Sequence, residues 1–123
     1  GELIAQAHAN GLLVVLWIYP RGKAVTAEKD PDLIAGAAGV ALCLGADFVK
    51  VNPPKPEDGT PAAEALKIAS TAAGRCGLVC AGGSTVDAET FLTQLSDQIH
   101  VAGPWATPRA ATSISAPWTR PCA

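Results

Sequence analysis

The sequence contains no methionine and has few aromatic and few charged residues. Aromatic residues make up 5% and charged residues 16% of its 123 residues, against a hydrophobic fraction of 49%. A chain this apolar is expected to bury a core, and its length suits one small domain. Because Met is absent and the chain opens on the helix-like Gly1-Glu2-Leu3, we expect its first residue to lie inside a larger protein.

Neither positive nor negative charge is in large excess. The formal net charge is −2, and the basic residues form no stripe. This distribution gives no electrostatic reason to expect a nucleic acid or an anionic membrane as partner. No apolar stretch is long enough to span a bilayer, and the first residues lack the layout of a signal peptide. We therefore expect a cytoplasmic protein without nucleic acid or membrane partners.

The four cysteines follow none of the usual zinc-site patterns. Cys43, Cys76, Cys80 and Cys122 form no Cys-x-x-Cys pair and have no histidines at matching spacing. A disulfide scaffold is typical of small, loop-rich, cysteine-dense chains, and this chain is patterned in helices and strands instead. We expect free thiols in a reducing cytoplasm, and neither a metal site nor a cofactor.

Apolar runs alternate with amphipathic segments along most of the chain. The runs that predict buried parallel strands are residues 12–18, 48–51 and 77–81. Asp30-Pro31 and Thr60-Pro61 are helix-start signals, and Gly45 is a helix-stop signal. The order α-β-α-β-α-β-α predicts an α/β fold with a parallel sheet covered by helices. The candidates are a partial (β/α)8 barrel, which in full needs about 200–250 residues, or a doubly wound sheet.

Lys50 is the one lysine in the short, largely apolar run that Asn-Pro-Pro closes. Burial favours the neutral amine, which is a nucleophile toward carbonyl groups. Alternation along a strand places Lys50 on the same face as Phe48 and Asn52. Judged alone, Lys50 is explained equally well as a strand-edge lysine or as a functional amine. The preceding strand ends in an inward tyrosine, Tyr19, and this favours a Schiff-base enzyme.

Two other loops follow predicted strands. In α/β folds, active and binding sites lie at the C-terminal ends of the strands. Trp17 and Tyr19 share one side of the first strand, and a phenol at a barrel mouth can transfer protons. The other interpretation of Tyr19 is a residue that caps the core. The run Gly82-Gly83-Ser84 links the third strand to a helix and can expose backbone N–H groups to an anion, although an ordinary tight turn has the same letters.

Three ordered segments, Trp17–Gly22, Ala46–Val51 and Cys80–Ser84, together resemble the archaeal-type (DhnA-type) class I fructose-bisphosphate aldolases. The resemblance covers residues 1 to about 102. It implies a TIM barrel, of which this chain holds about strands 5–7 with their helices. It also implies metal-independent cleavage of fructose 1,6-bisphosphate to dihydroxyacetone phosphate and glyceraldehyde 3-phosphate, by full-length enzymes that are expected to be homo-oligomers.

By the same resemblance Lys50 is the Schiff-base lysine and Tyr19 is the proton-transferring tyrosine. The residues that the resemblance assigns to substrate binding, with the phosphate loop among them, are Trp17, Arg21, Gly82, Gly83 and Ser84. One alternative is a related Schiff-base aldolase that acts on another phosphorylated sugar. The other is a non-catalytic α/β module in which Lys50 is an edge lysine.

The segment from Gly103 onward departs from the family pattern, which continues with a glycine-rich strand ending in Gly-Arg-Asn. It has three prolines before its last five residues and no clear period, so we expect neither strand nor helix. Shifting the reading frame by one base, with permitted codons, gives M-G-D-A-T-G-R-N-I-H-Q-R-P-L-D-E-A-V-R, which contains the absent motif. We therefore hypothesise a domain of residues 1–102 followed by a frameshifted, disordered tail of residues 103–123. Such a chain alone is expected to aggregate and to be inactive.

Overall fold

The computed structural model describes residues 1–82, 86–103 and 106–107. The helices of this part are α1 (Glu2–Ala9), α2 (Pro31–Leu44), α3 (Ala62–Ala73) and α4 (Ala88–Ala102). The strands are β1 (Val15–Trp17), β2 (Phe48–Val51), β3 (Gly77–Cys80) and β4 (Ala106–Thr107). They form one parallel sheet in the order β1-β2-β3-β4. A doubly wound sheet reverses its strand order at a switch point, whereas the strands described here follow the chain without reversal, like one wall of a barrel.

Helix α2 begins and ends at the predicted signals. Asp30 is its N-cap, and its Oδ1 atom accepts hydrogen bonds from the backbone N–H groups of Asp32 and Leu33 at 2.9 and 3.2 Å. Gly45 ends the helix in the left-handed region at φ 87°, where a residue without a Cβ atom is favoured. The predicted start of α3 is shifted slightly, since Pro61 takes the N-cap position and no side chain caps this helix.

The core lies between the sheet and the helices α2 and α3. Val49 and Val51 of β2 point into it and are 0% exposed. The helices face them with small buried residues, which let the helix backbones approach the sheet closely: Ala37, Ala38, Ala41, Ala65, Ala69 and Ala73. Fully buried Ile34 and Leu66 fill the remaining space. This apolar burial on one face of the sheet is the main stabilising contribution to the fold.

The opposite face of the sheet is uncovered in the part of the chain that the structure describes. Leu13, Val15 and Trp17 alternate along β1 and its approach, and they are 73%, 48% and 66% exposed. The outer edge of β1 also has no strand beside it among the described residues. In a closed barrel the equivalent face lines the interior and every strand has two neighbours.

Strand β4 corrects the expectation that the segment after Gly103 forms no strand. Ala106 and Thr107 pair in parallel with Leu78 and Val79 of β3. The edge of a sheet presents unpaired backbone N–H and C=O groups, which can pair with an extended segment that reaches it. Residues 104–105 and 108–123, on which the rest of the tail hypothesis depends, lie outside the described residues.

Candidate active site

The C-terminal ends of β1 and β2 bring Trp17 and Lys50 together. The two residues are register partners in the parallel pair, and the Nζ atom of Lys50 lies 4.1 Å from the centroid of the Trp17 ring. A cation at this distance is attracted by the electron-rich face of an indole. Lys50 is half-buried and Trp17 is exposed, so the amine lies on the uncovered face of the sheet, where a small molecule can reach it.

Tyr19 and Arg21 extend the site beyond the end of β1. Tyr19 is half-buried, and the Cζ atom of Arg21 lies 5.4 Å from the centroid of its ring. Arg21 also forms an ion pair with Glu28, with 3.4 Å between Nε and Oε2. Both partners are exposed, so this pair adds little stability, but it restrains the direction of the guanidinium group. Sequence reasoning missed Glu28, although an opposite charge in the same loop is the signal that could have found it.

The hydrogen-bonded ladder continues past the last residues of the strands. The N–H of Ile18 donates to the carbonyl of Lys50 at 3.0 Å. The N–H of Ala81 donates to the carbonyl of Val51 at 2.7 Å. Continuing the β1–β2 register two residues past its last pair places Tyr19 beside Asn52. Continuing the β2–β3 register one residue past its last pair places Asn52 beside Ala81. The three loops therefore leave the sheet at one edge, as they do at the mouth of a barrel.

The predicted phosphate loop is described only in part. Gly82 follows β3 at this same edge and is half-buried. Gly83 and Ser84 lie outside the described residues. The geometry thus brings Trp17, Lys50, Tyr19 and Gly82 together at the C-terminal ends of the strands.

A backbone hydrogen bond joins the loops that follow β1 and β2. The N–H of Lys55 donates to the carbonyl of Lys29 at 2.8 Å. A cleft of about 510 Å³ lies beside this bond, with Asp30 and Glu57 among its lining residues. Lys50 does not line this cleft. Its amine faces the open inner side of the sheet, which a complete barrel would enclose.

A polar cluster with a structural role lies at the N-terminal ends of the strands, opposite the candidate site. The Oδ2 atom of Asp47 lies 2.9 Å from Nε2 of His8 and accepts a hydrogen bond from the N–H of Val14 at 2.8 Å. The Val14 N–H, and then His8, hold the pKa of Asp47 below its ordinary value of 3.8. The sequence gives no sign of this pair, because it joins residues that are 39 positions apart in the chain.

The described residues contain no cluster of three or more histidine, cysteine or acidic side chains that could hold a metal ion. Cys43 is exposed, Cys76 and Cys80 are buried, and none of these three is in a disulfide bond. Burial, with the negative charge of Asp47, raises the pKa of the Cys76 thiol, which disfavours the reactive thiolate. Cys122 lies outside the described residues. Among the helices described, none has the length and apolar character to cross a bilayer.

Comparison with known proteins gives a consistent family. Residues 1–107 match the model of a family described as DeoC/LacD family aldolase. The fructose-bisphosphate aldolase/6-deoxy-5-ketofructose 1-phosphate synthase of Methanocaldococcus jannaschii is 56% identical over 102 residues, which are 83% of this chain and 32% of that protein. A class 1 fructose-bisphosphate aldolase of Halobacterium salinarum is 40% identical over 93 residues, 76% of this chain and 33% of that protein.

Solved structures agree with the sequence relatives. A fructose-bisphosphate aldolase from Slackia heliotrinireducens superposes with a TM-score of 0.80 and 66% identity, over 87% of this chain and 34% of that one. A Schiff base forming fructose-1,6-bisphosphate aldolase superposes with a TM-score of 0.70 and 29% identity, over 88% of this chain and 42% of that one. The chain spans about a third of the length of the curated relatives it matches.

Proposed function

Because the chain belongs to the DeoC/LacD family of aldolases, we propose that it is part of a barrel that cleaves fructose 1,6-bisphosphate through a Schiff base on Lys50. In this proposal β1, β2 and β3 are about strands 5–7 of the barrel, and β4 stands where the last strand closes it. The observation that carries the proposal is the Lys50 amine at the C-terminal edge of the sheet, 4.1 Å from the Trp17 ring.

The reaction begins when the neutral Lys50 amine attacks the ketone carbon, C2, of the open-chain sugar. Loss of water gives an iminium ion, which accepts the electron pair of the C3–C4 bond as that bond breaks. The C4 hydroxyl loses its proton, so that C4 leaves as an aldehyde and an enamine remains on Lys50. Protonation of the enamine and hydrolysis of the resulting iminium release dihydroxyacetone phosphate and restore the amine.

The neighbouring residues take roles that fit their positions. Tyr19 lies one layer beyond Lys50 and is proposed to transfer the proton of the C4 hydroxyl. Trp17 holds the flexible lysine side chain over its ring. We assign the sugar phosphates to the Arg21 guanidinium group and to the loop residues Gly82, Gly83 and Ser84. The complete enzyme is proposed to be cytoplasmic and homo-oligomeric, with a phosphorylated sugar as its substrate.

The test uses a completed barrel, defined as the Slackia heliotrinireducens aldolase with residues 1–107 of this chain in place of its matching segment. The 66% identity makes this exchange conservative. Incubation with dihydroxyacetone phosphate and sodium borohydride should reduce the imine to a stable amine on Lys50, located by peptide mass spectrometry. The completed barrel should also cleave fructose 1,6-bisphosphate.

Two lysine variants decide the outcome. Lys50→Arg keeps a long cationic side chain but cannot form the imine, so it should abolish both labelling and cleavage. Lys55→Arg, in the adjacent loop, should leave both intact. Labelling that persists in Lys50→Arg would exclude the proposed role, and would favour an α/β module in which Lys50 has no catalytic part.

A second candidate is a related aldolase reaction on another phosphorylated sugar. It is favoured by the Methanocaldococcus jannaschii relative, whose name includes 6-deoxy-5-ketofructose 1-phosphate synthase. Both candidates use the Lys50 imine, so borohydride labelling does not separate them. Comparing kcat/KM of the completed barrel for fructose 1,6-bisphosphate and for 6-deoxy-5-ketofructose 1-phosphate does so, and a clear preference for the second compound would support this candidate.

A further inference from the structure

Asn52 lies in the layer directly beyond Lys50 and has no part in the proposed function so far. On β2 the buried residues Val49 and Val51 face the helices, while Lys50 faces the uncovered side. Asn52 follows in the same alternation and is half-buried. Two residues along a strand advance by about 6.5 Å. The Asn52 side chain therefore lies on the face of the amine, one step closer to the mouth.

The lateral neighbours of Asn52 belong to the same site. The register that pairs Trp17 with Lys50 continues through the hydrogen bond from Ile18 N–H to the Lys50 carbonyl. Continued one residue further, past the end of β1, this register puts Tyr19 beside Asn52. On the β3 side, Asn52 lies beside Ala81, the residue that precedes Gly82. Asn52 thus occupies the middle position between the proposed proton-transfer residue and the start of the phosphate loop.

The side-chain amide of Asn52 has no hydrogen-bond partner among the described residues. The other asparagine of the chain differs, because Nδ2 of Asn10 donates to the carbonyl of Gln6 at 2.8 Å. A side-chain amide offers two donor hydrogens and an acceptor oxygen. A half-buried side-chain amide that makes no hydrogen bond to the described residues, next to a reactive amine, is available to a polar group of the substrate.

We propose that the Asn52 amide binds the C4 hydroxyl of the sugar held on Lys50 and thereby selects the configuration at C4. The inference rests on the proposed function. C4 is three covalent bonds from the Lys50 nitrogen, at about 1.5 Å for each bond, which carries the hydroxyl toward the next layer of the strand. There Tyr19 and Asn52 approach it from the segments that follow the adjacent strands β1 and β2. An amide donor stabilises the C4 oxygen as its proton leaves through Tyr19.

The configuration at C4 is what such a contact distinguishes. Fructose 1,6-bisphosphate and tagatose 1,6-bisphosphate are epimers that differ only there, and both give dihydroxyacetone phosphate and glyceraldehyde 3-phosphate on cleavage. With Lys50 and the phosphates fixed, only one epimer presents its C4 hydroxyl to the Asn52 amide. A site built to hydrogen-bond a hydroxyl group discriminates strongly against a substrate that leaves its polar group unpaired.

The test compares the two epimers in the completed barrel. Asn52→Leu has a similar size but no hydrogen-bonding group. It should lower kcat/KM for fructose 1,6-bisphosphate about tenfold to a hundredfold and reduce the preference for fructose over tagatose bisphosphate by a similar factor. Asn52→Ser, with a shorter polar group, should fall between the parent and Asn52→Leu, and it serves if the leucine variant does not fold. Asn10→Leu is the matched control and should change neither quantity.

Borohydride labelling separates this inference from the proposed function. Dihydroxyacetone phosphate has no C4, so labelling of Lys50 should be unchanged in Asn52→Leu and Asn52→Ser. If Lys50 is labelled but both epimers lose activity equally, or neither loses any, then Asn52 does not select at C4 and the inference is overturned. If Lys50 is not labelled even in the parent barrel, the proposed function itself fails.

Discussion

The Oδ2 atom of Asp47 lies 2.9 Å from the Nε2 atom of His8 and so joins α1 to the start of β2. The same oxygen accepts the N–H of Val14, and these contacts keep the pKa of Asp47 below 3.8. A carboxyl group with a lowered pKa in the folded state contributes stability that is complete above its unfolded pKa. That contribution is lost as the pH falls through its folded pKa.

We therefore expect Asp47→Asn to lower the unfolding free energy of the completed barrel at neutral pH, and to lower it by less in acid. The difference in unfolding free energy between parent and variant should narrow as the pH falls below about 4. Urea unfolding midpoints, measured from neutral to acidic pH, check this. Asp97→Asn, at an exposed position of α4, is the control. A parent–variant difference that stays constant across the acidic range would contradict the prediction.

Trp17 is expected to orient the Lys50 amine. The ring holds the lysine side chain in one orientation, and without it this long side chain gains rotamer freedom, which costs up to about 1.5–2 kcal/mol to lose again. In the completed barrel, Trp17→Leu should slow imine formation with dihydroxyacetone phosphate by about tenfold, measured by borohydride quenching at increasing times. Trp17→Phe keeps an aromatic face and should retain most of the rate. Equal rates in the leucine and phenylalanine variants would show that the ring has no such role.

Gly77 is expected to be required by Phe48. The two are register partners on β3 and β2, and a Cβ atom at Gly77 would lie 2.6 Å from Cε1 of the Phe48 ring. Gly77→Ala should therefore destabilise the completed barrel by about 1–3 kcal/mol, measured by urea unfolding. Adding Phe48→Leu should recover part of the loss. Gly36→Ala meets no atom within 4 Å and should be neutral or stabilising by about 0.5–1 kcal/mol, since it lies inside a helix.

The 123-residue chain on its own is expected to associate and to lack activity. In the part of the chain that the structure describes, the sheet has an open edge at β1 and an uncovered apolar face with Leu13, Val15 and Trp17. Both features favour self-association. Analytical ultracentrifugation should find large species, and cleavage of fructose 1,6-bisphosphate should be undetectable. A monomeric chain with measurable cleavage would refute the expectation.

The frameshift hypothesis concerns the coding DNA and is tested there. If it holds, the codons after Gly103 encode Gly-Arg-Asn in the shifted frame. Trp105 and Trp118 have one codon each, and they fix the first base of two shifted codons. Sequencing the gene through this segment decides the matter, because codons that do not give Gly-Arg-Asn in that frame exclude it. The restored chain would carry the phosphate contact that the family pattern places there.

Local signals in the sequence predicted α2 well, because its ends depend on neighbouring residues: Asp30 with Pro31 at the start and Gly45 at the end. Strand β1 was predicted too long. The run of residues 12–18 is apolar throughout, but the strand spans only Val15–Trp17. A strand exists only where a neighbour pairs with it, and the pairing begins where Val15 meets Phe48. The sequence contains no signal for that register.

The same distinction applies to the candidate site. Alternation within a strand placed Lys50 and Asn52 on one face, because that property is local. The contact between Lys50 and Trp17 and the pairing of His8 with Asp47 both join different elements. They depend on how the helices set one strand against the next, which a single sequence does not specify. Strand β4 was missed for a similar reason, since its pairing depends on the edge that β3 presents.

The sequential strand order has a consequence for how the protein folds. Each pair of strands joins residues between 28 and 33 positions apart, as in Val15 with Phe48, Phe48 with Gly77, and Leu78 with Ala106. Each described pairing thus closes within one βαβ unit, so none of these strands waits for a more distant part of the chain. On the ribosome each strand can dock on the one made just before it. Lys50 would then acquire its first neighbour, Trp17, as soon as β2 emerges, before β3 has been synthesised.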